Sequence, residues 1–248
     1  MSNLDEKIDA IEEVSELESL QFFQTQAHPC SYLEDETAST VFLSPKQTIN
    51  RALYSQLSEY GFRRSGAHIY KPLCADCKAC VPMRIPVALF MPSRSQKRTW
   101  KRNADITIHM TDSVDTDEHY ALYERYINQR HQDGDMYPPS RTQFQSFLSS
   151  EWHSSCNYEF RKDGKLIAVS IADTMDNGIS AVYTYYDPAE DKRSLGSFAI
   201  LFLVREAKKH HLNSVYLGYW IKNSNKMNYK SAYRPLEIQS GDSWILVN

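Results

Sequence analysis

The stretch YEFRKDGKLIAVSIADTMDNGISAVYTYYDP, residues 158–188, decides the fold. Tyr158 to Arg161 starts a strand that turns at Asp163-Gly164 into a second strand, Leu166 to Thr174. A second turn at Asp176-Asn177-Gly178 leads into a third, Ile179 to Tyr186. Asp-Gly and Asn-Gly adopt the positive φ angles that tight hairpins need, so three antiparallel strands are expected here. Downstream, beyond Asp187-Pro188, Phe198, Leu201, Phe202 and Arg205 recur at helical spacing and predict a helix from about Gly196 to His210. Val215 to Tyr219 is strand again, then a short helix and two terminal strands. Upstream, Ile106, Ile108 and Met110 alternate as in a half-buried strand. Tyr120, Tyr123, Tyr126 and Ile127 form one helical stripe, and Phe144, Phe147 and Leu148 a second.

The order is thus strand, two helices, three antiparallel strands, helix, strand, short helix, two strands. That order matches the GNAT-like layout of N-acyltransferases, and alone it licenses only acyl transfer to an amine. The N-terminal half is less regular. A helix is expected from Ser44-Pro45 to Tyr60 with Gly61 as its stop, followed by a strand-like stretch ending at Tyr70 and a cysteine loop. Val81 to Phe90 alternates but holds two prolines, which predicts an edge strand or an extended segment. The expected fold is α+β: a GNAT-like mixed/antiparallel sheet domain at 104–248, preceded by a small cysteine-containing α+β domain at 20–103 and an acidic leader at 1–19.

Net charge is −3 but strongly segregated. Residues 1–45 hold ten acids and one base, whereas residues 46–103 hold twelve bases and two acids. A basic block in an acidic protein points to a polyanionic partner, the alternative being neutralisation by the acidic head. No apolar run reaches the roughly 18 residues of a membrane span, and the acidic start is no secretory signal. A cytoplasmic protein without a membrane partner is expected. The odd count of five cysteines argues against a disulfide framework.

Cys74, Cys77 and Cys80, with Cys30 upstream, have the spacing to wrap zinc or part of an iron–sulfur cluster; a metal-free cysteine turn is the alternative. Cys156 stands alone and reads as a small core residue. Arg94, Lys97, Arg98, Lys101 and Arg102, with Trp100 among them and no acid, suit an RNA backbone or a solvated helix face. In Gly61-Phe-Arg63-Arg64-Ser65-Gly66 two guanidinium groups sit in a glycine-flanked turn. Arginine grips carboxylates with paired hydrogen bonds, so an acidic side chain is one ligand; structural ion pairs and tRNA contacts are the others. The turn Arg193-Ser-Leu-Gly196-Ser197 opens the long helix and partly resembles the phosphate-cradling turn of acyl-CoA enzymes, without their fuller glycine pattern. Neither a phosphate-binding loop nor a Gly-x-Ser-x-Gly elbow occurs, as suits a transferase whose donor arrives activated.

Nine motifs then run in order: His28-Pro-Cys30-Ser-Tyr32-Leu33, Gly61 to Gly66, Cys74 to Cys80, Pro92-Ser-Arg-Ser-Gln96, Arg130-His131 with Gly134-Asp-Met136, Tyr186-Asp187-Pro188, Ser194-Leu-Gly196, Tyr216-Leu-Gly-Tyr-Trp220 and Lys226-Met-Asn-Tyr-Lys230. From about residue 20 to the C-terminus the chain resembles the arginyl-tRNA–protein transferase family, in its bacterial, leucine-transferring branch. The resemblance implies transfer of leucine from leucyl-tRNA to proteins beginning with Asp or Glu, marking them for N-degron proteolysis. It also implies the two-domain layout. The eukaryotic branch carries Cys-x-x-Cys and an adjacent cysteine pair, where this chain has Cys30…Leu33 and Ala79-Cys80. That branch's metal site therefore does not transfer whole.

The ester of such a donor is already reactive, and an α-amine of pKa about 7.7 to 8.0 is partly neutral at cellular pH, so positioning supplies most of the rate. No cofactor is required for that chemistry. Arg63 and Arg64, with Ser65 and Arg84, are the candidates for the acceptor's acidic side chain. Asp173 and Asp187 are candidates to hold the α-ammonium or relay its proton, and Tyr183 is a third catalytic candidate. Lys226, Tyr229 and Lys230 are candidates for the tRNA acceptor end, and the cations from Arg94 to Arg102 for its backbone. Arginine transfer, an acyl-CoA-dependent N-acyltransferase and a non-catalytic zinc-bearing RNA-binding protein are the competing readings.

Overall fold

The computed structural model describes residues 19–148 and 155–248, so the expected acidic leader lies outside the described residues apart from Ser19. In chain order the elements are β1 (Phe22–Gln24), β2 (His28–Pro29), β3 (Thr37–Ala38), β4 (Thr40–Leu43), α1 (Arg51–Glu59), β5 (Arg63–Ser65), β6 (His68–Pro72), β7 (Val81–Pro86), α2 (Arg94–Arg102) and β8 (Thr107–Thr111). Then follow α3 (Asp117–Arg130), α4 (Arg141–Leu148), β9 (Ser155–Lys162), β10 (Lys165–Thr174), β11 (Gly178–Tyr186), α5 (Leu195–Lys209), β12 (Ser214–Trp220), β13 (Leu236–Ser240) and β14 (Ser243–Val247). Short 3-10 helices span Pro188–Arg193 and Asn228–Ala232.

The expected hairpin series is present as β9, β10 and β11, and Asp163 and Gly164 both take positive φ in the first turn. These strands lie in an eight-stranded sheet of order β14-β13-β7-β12-β11-β10-β9-β8, in which β11 and β12 run parallel. Helices cover both of its faces, which is why β10 is buried along nearly its whole length. On one face Leu122, Tyr123 and Ile127 of α3 and Phe144 of α4 pack on Val169, Ile171 and Tyr185. On the other, Leu195, Phe198 and Phe202 of α5 pack on Phe160, Ala168 and Leu217. This is the GNAT-like α+β arrangement.

Two expectations change. Val81–Pro86 is not an edge strand: β7 lies inside the large sheet, paired with β12 and β13. Its prolines are tolerated because β13 pairs only with Met83 and Arg84, between Pro82 and Pro86, where the backbone N–H groups are intact. The large sheet therefore takes a strand from the 20–103 segment. The helix expected from Ser44 begins only at Arg51, because Asn50 is extended and its side chain accepts a hydrogen bond from the Leu53 N–H as an N-cap.

A second sheet of order β1-β4-β6-β5 docks on the first through α1. Leu53, Tyr54 and Leu57 of α1 join Leu43 and Ile69 of the small sheet to Tyr216 of the large one. Gly66 closes the β5–β6 turn at φ +58°, and a Cβ there would stand 2.2 Å from the Ser146 carbonyl oxygen. Only glycine fits that turn.

Candidate active site

β11 and β12 pair only over Gly178–Ser180 and Ser214–Tyr216 and then diverge. Divergence leaves backbone groups that must find other partners. Arg63 fills the apex: its Nη2 donates to the Ala181 carbonyl at 2.7 Å and its Nη1 to the Tyr216 carbonyl at 3.5 Å. Further along, the Lys230 Nζ donates to the Tyr219 carbonyl at 2.7 Å. Gly218 makes room for this wedge: it has φ +77°, beside a β-bulge, and a Cβ there would stand 3.3 Å from the Arg63 Nε.

The splay opens into a cleft of about 540 Å³. Tyr32, Tyr126, Tyr183, Tyr186 and Tyr229 give it flat aromatic walls, and Met136, Val182, Ile200, Leu217 and Met227 give it an apolar portion. Ser194, Gly196 and Ser197, at the start of α5, form one lip, and Lys226 to Lys230 the other. Burial, and then the neighbouring tyrosines, push the Tyr183 phenol well above its ordinary pKa. At neutral pH it is therefore a hydrogen-bond donor and not a base. His131 lines the same cleft, and burial together with the Lys226 charge holds its imidazole below the usual range. Burial and the Arg63 charge push the Lys230 ammonium down to about 7.

Of the residues singled out in the sequence, Tyr183, Lys226, Tyr229 and Lys230 meet in this cleft. Ser194, Gly196 and Ser197 of the turn that opens α5 line it too, and the remaining acceptor-binding and catalytic candidates stand elsewhere. Arg64 is bound bidentately by Asp173, at 2.7 and 2.8 Å, with both side chains almost wholly buried. The Ser155 hydroxyl also donates to Asp173, at 2.7 Å. Asp187 caps the Pro188–Arg193 helix by accepting the Ala189 N–H and pairs with Lys165 at 2.8 Å. Burial raises its pKa, but the Lys165 hydrogen bond, the Ala189 N–H and the Lys165 and Arg125 charges outweigh that and hold the carboxyl below the usual range. Neither aspartate lines the cleft. Ser65 lies across from His68 in the β5–β6 hairpin. Arg84 bridges Glu59 and Glu237 and stacks over Trp244 at 4.3 Å.

Arg94 to Arg102 forms α2, which starts with a Ser93–Gln96 capping box. Gln96, Thr99 and Trp100 turn inward, and Trp100 packs on Phe198. Arg94, Lys97, Arg98 and Lys101 recur at three and four on the exposed side, and among the described residues no acid pairs with them. Arg102 instead donates to the Lys192 carbonyl. Gln96 ties α2 to the Ala232 carbonyl behind one lip of the cleft, at 3.2 Å, and Asn103 ties it to the Arg193 carbonyl behind the other, at 2.9 Å. The cationic helix is thus fastened to both lips.

Ser31 and Tyr32, which follow Cys30 in the chain, line the cleft. Cys30, Cys74 and Cys77 lie within electrostatic reach of Cys80, whose thiol is pushed up to about 12 by burial and then by these neighbours. The four are the soft donors expected of a zinc or iron–sulfur site. In this arrangement, among the described residues, no three His, Cys, Asp or Glu side chains form a group able to hold a metal ion. Cys156 packs against the core of the large sheet, as the sequence led one to expect.

Sequence reasoning gave no role to Tyr126, His131, Ile200 or Leu217. Arg130-His131 was a motif without an assignment, and the alternation of Val182 to Tyr186 was the available signal for aromatic walls. Among the described residues no helix is long and apolar enough to cross a membrane.

A splayed pair of parallel strands with a helix N-terminus at one lip is the arrangement of a GNAT-like fold, and here a cationic helix is fastened beside it. Residues 28–98 match the sequence pattern described as arginine-tRNA-protein transferase, N terminus, and residues 118–240 that of its C terminus. An aspartate/glutamate leucyltransferase of Pseudomonas fluorescens is 55% identical over 95% of this chain and 100% of its own length. Another, from Pseudomonas syringae pv. tomato, is 54% identical over 94% and 99%. A solved structure of FemX, 10% identical, superposes over 86% of this chain and 83% of that one with a TM-score of 0.48. The chain belongs to the arginyl-tRNA–protein transferase family.

Proposed function

We propose that this protein transfers leucine from leucyl-tRNA to the α-amine of proteins that begin with Asp or Glu, in the cytoplasm, creating an N-degron. The observation that carries this reading is the full-length similarity to aspartate/glutamate leucyltransferases, set beside a cleft that suits their chemistry. The aromatic walls suit the stacked bases of an acceptor end. The apolar portion suits a leucine side chain. Arg94, Lys97, Arg98 and Lys101 suit the tRNA backbone, and Lys226 and Tyr229 its acceptor end.

In the transfer, the neutral α-amine attacks the carbonyl carbon of the leucyl ester. The new C–N bond forms, the bond to the ribose oxygen breaks, and the ribose oxygen leaves with a proton. In this reading Tyr183 donates a hydrogen bond to the developing oxyanion and the neutral imidazole of His131 takes the proton that the amine sheds; both line the cleft. The ester is activated in advance, so the step draws on no cofactor.

Arginine transfer is the second reading, and the cleft's own cations weigh against it. Offered equal leucyl-tRNA and arginyl-tRNA with a peptide beginning Asp, the protein is expected to transfer leucine at least tenfold faster. Faster transfer of arginine would reverse the donor assignment.

A further inference from the structure

Two buried cations stand at the floor of the cleft without an anion. Arg63 is 7% exposed and Lys230 6% exposed. Each spends hydrogen bonds on neutral partners: Arg63 on the carbonyls of Ala181 and Tyr216, Lys230 on the carbonyl of Tyr219 and the sulfur of Met227. Among the described residues neither takes part in an ion pair. The neighbouring cations differ. Arg64 is saturated by Asp173, Arg84 by Glu59 and Glu237, and Lys226 by Asp133 at 2.8 Å. The cleft's remaining carboxylate, Asp135, is exposed at the rim and pairs with neither floor cation.

Burying one charge without a counter-ion is costly, and burying two that repel each other is costlier. Burial first, and the Arg63 charge second, lower the Lys230 pKa. Of the two, only Lys230 lines the cleft; Arg63 lies beneath it, in the apex of the splay. A carboxylate entering the cleft would meet Lys230 first and gain from Arg63 behind it.

We propose that Lys230 is the residue that selects the acceptor, its ammonium pairing with the side-chain carboxylate of an N-terminal Asp or Glu while Arg63 reinforces the positive field from below. This rests on the leucyl-transfer reading, refines its acceptor site, and moves Lys230 from the tRNA to the protein substrate. The arginine pair Arg63-Arg64 then divides its labour: Arg64 holds the two sheets together and Arg63 props and polarises the cleft.

The test compares two peptides that differ only in their first residue, Asp or its neutral isostere Asn. Wild-type protein is expected to favour Asp at least 100-fold in kcat/KM. Lys230→Met removes the charge and keeps the stem. It is expected to lower that ratio to within a few-fold of one, chiefly by raising KM for the Asp peptide, while leaving the Kd for leucyl-tRNA within about twofold. Lys230→Arg is expected to keep much of the preference. An unchanged Asp/Asn ratio in Lys230→Met, or loss of leucyl-tRNA binding with the ratio intact, would overturn the assignment. Should that variant not fold, a crystal structure of wild-type protein with the Asp peptide decides: the side-chain carboxylate within 4 Å of the Lys230 Nζ supports the proposal, and any other cation in its place overturns it. Wild-type protein inactive toward both peptides would instead sink the leucyl-transfer reading itself.

Discussion

Asp173→Asn is expected to cost about 3–5 kcal/mol of stability, because it strands the Arg64 guanidinium in a site that excludes water. In a chain of this length that corresponds to a fall in Tm of roughly 6 to 20 °C, measurable by circular dichroism. The charge on Asp173 accepts from Arg64 twice and from Ser155 once, so an amide in its place cannot satisfy all three donors. The pair ties β5 of the small sheet to β10 of the large one, so its loss should loosen the join between the sheets as well as the local site. Replacing both residues with leucine should recover most of the lost stability, since two apolar side chains leave no buried charge behind. KM for an acidic peptide should be unchanged in whatever fraction of Asp173→Asn stays folded. An unaltered melting curve with transfer abolished would return Asp173 to a catalytic role.

The second large effect concerns the exposed face of α2. Replacing Arg94, Lys97, Arg98 and Lys101 together with glutamine is expected to weaken leucyl-tRNA binding by about 10² to 10³-fold at 0.1 M salt. Each phosphate contact contributes roughly 0.7 to 0.9 to the slope of log affinity against log salt, so four lost contacts flatten it by about 3. Because Gln96, Thr99 and Trp100 carry the packing, the fold should survive and Tm should move little. Arg102 is left out, since it bonds the Lys192 carbonyl. A salt dependence equal to that of the wild type would mean that the tRNA lies elsewhere.

The regular half of the fold was legible because it is governed by local rules. Asp163-Gly164 fixes its turn through positive φ at both residues, whereas the turn at Asp176-Asn177-Gly178 forms where expected without it; the stripe from Phe198 to Arg205 fixes its helix through periodicity. The basic helix was legible for the same reason: Ser93 and Gln96 cap it, and its cations share one face. What escaped the sequence was set by distant partners. Val81–Pro86 looks like an edge strand until β13 is seen to pair only between its prolines. Arg63 and Arg64 are adjacent and chemically alike, yet one props the β11–β12 splay and the other seals an ion pair with Asp173. Lys226 and Lys230 are four residues apart, yet one is exposed with an acid and the other buried without one. Charge can be counted from sequence; which charges lack a partner cannot.

A cleft that joins an activated leucyl ester to an acidic chain start should show that preference in one assay. Purified protein is mixed with labelled leucyl-tRNA and four peptides that begin Asp, Glu, Lys or Ala, and label entering each peptide is followed with time. Rapid labelling of the Asp and Glu peptides with little or none of the Lys and Ala peptides is the predicted result. Equal labelling of all four, or labelling of the Lys peptide alone, would contradict it.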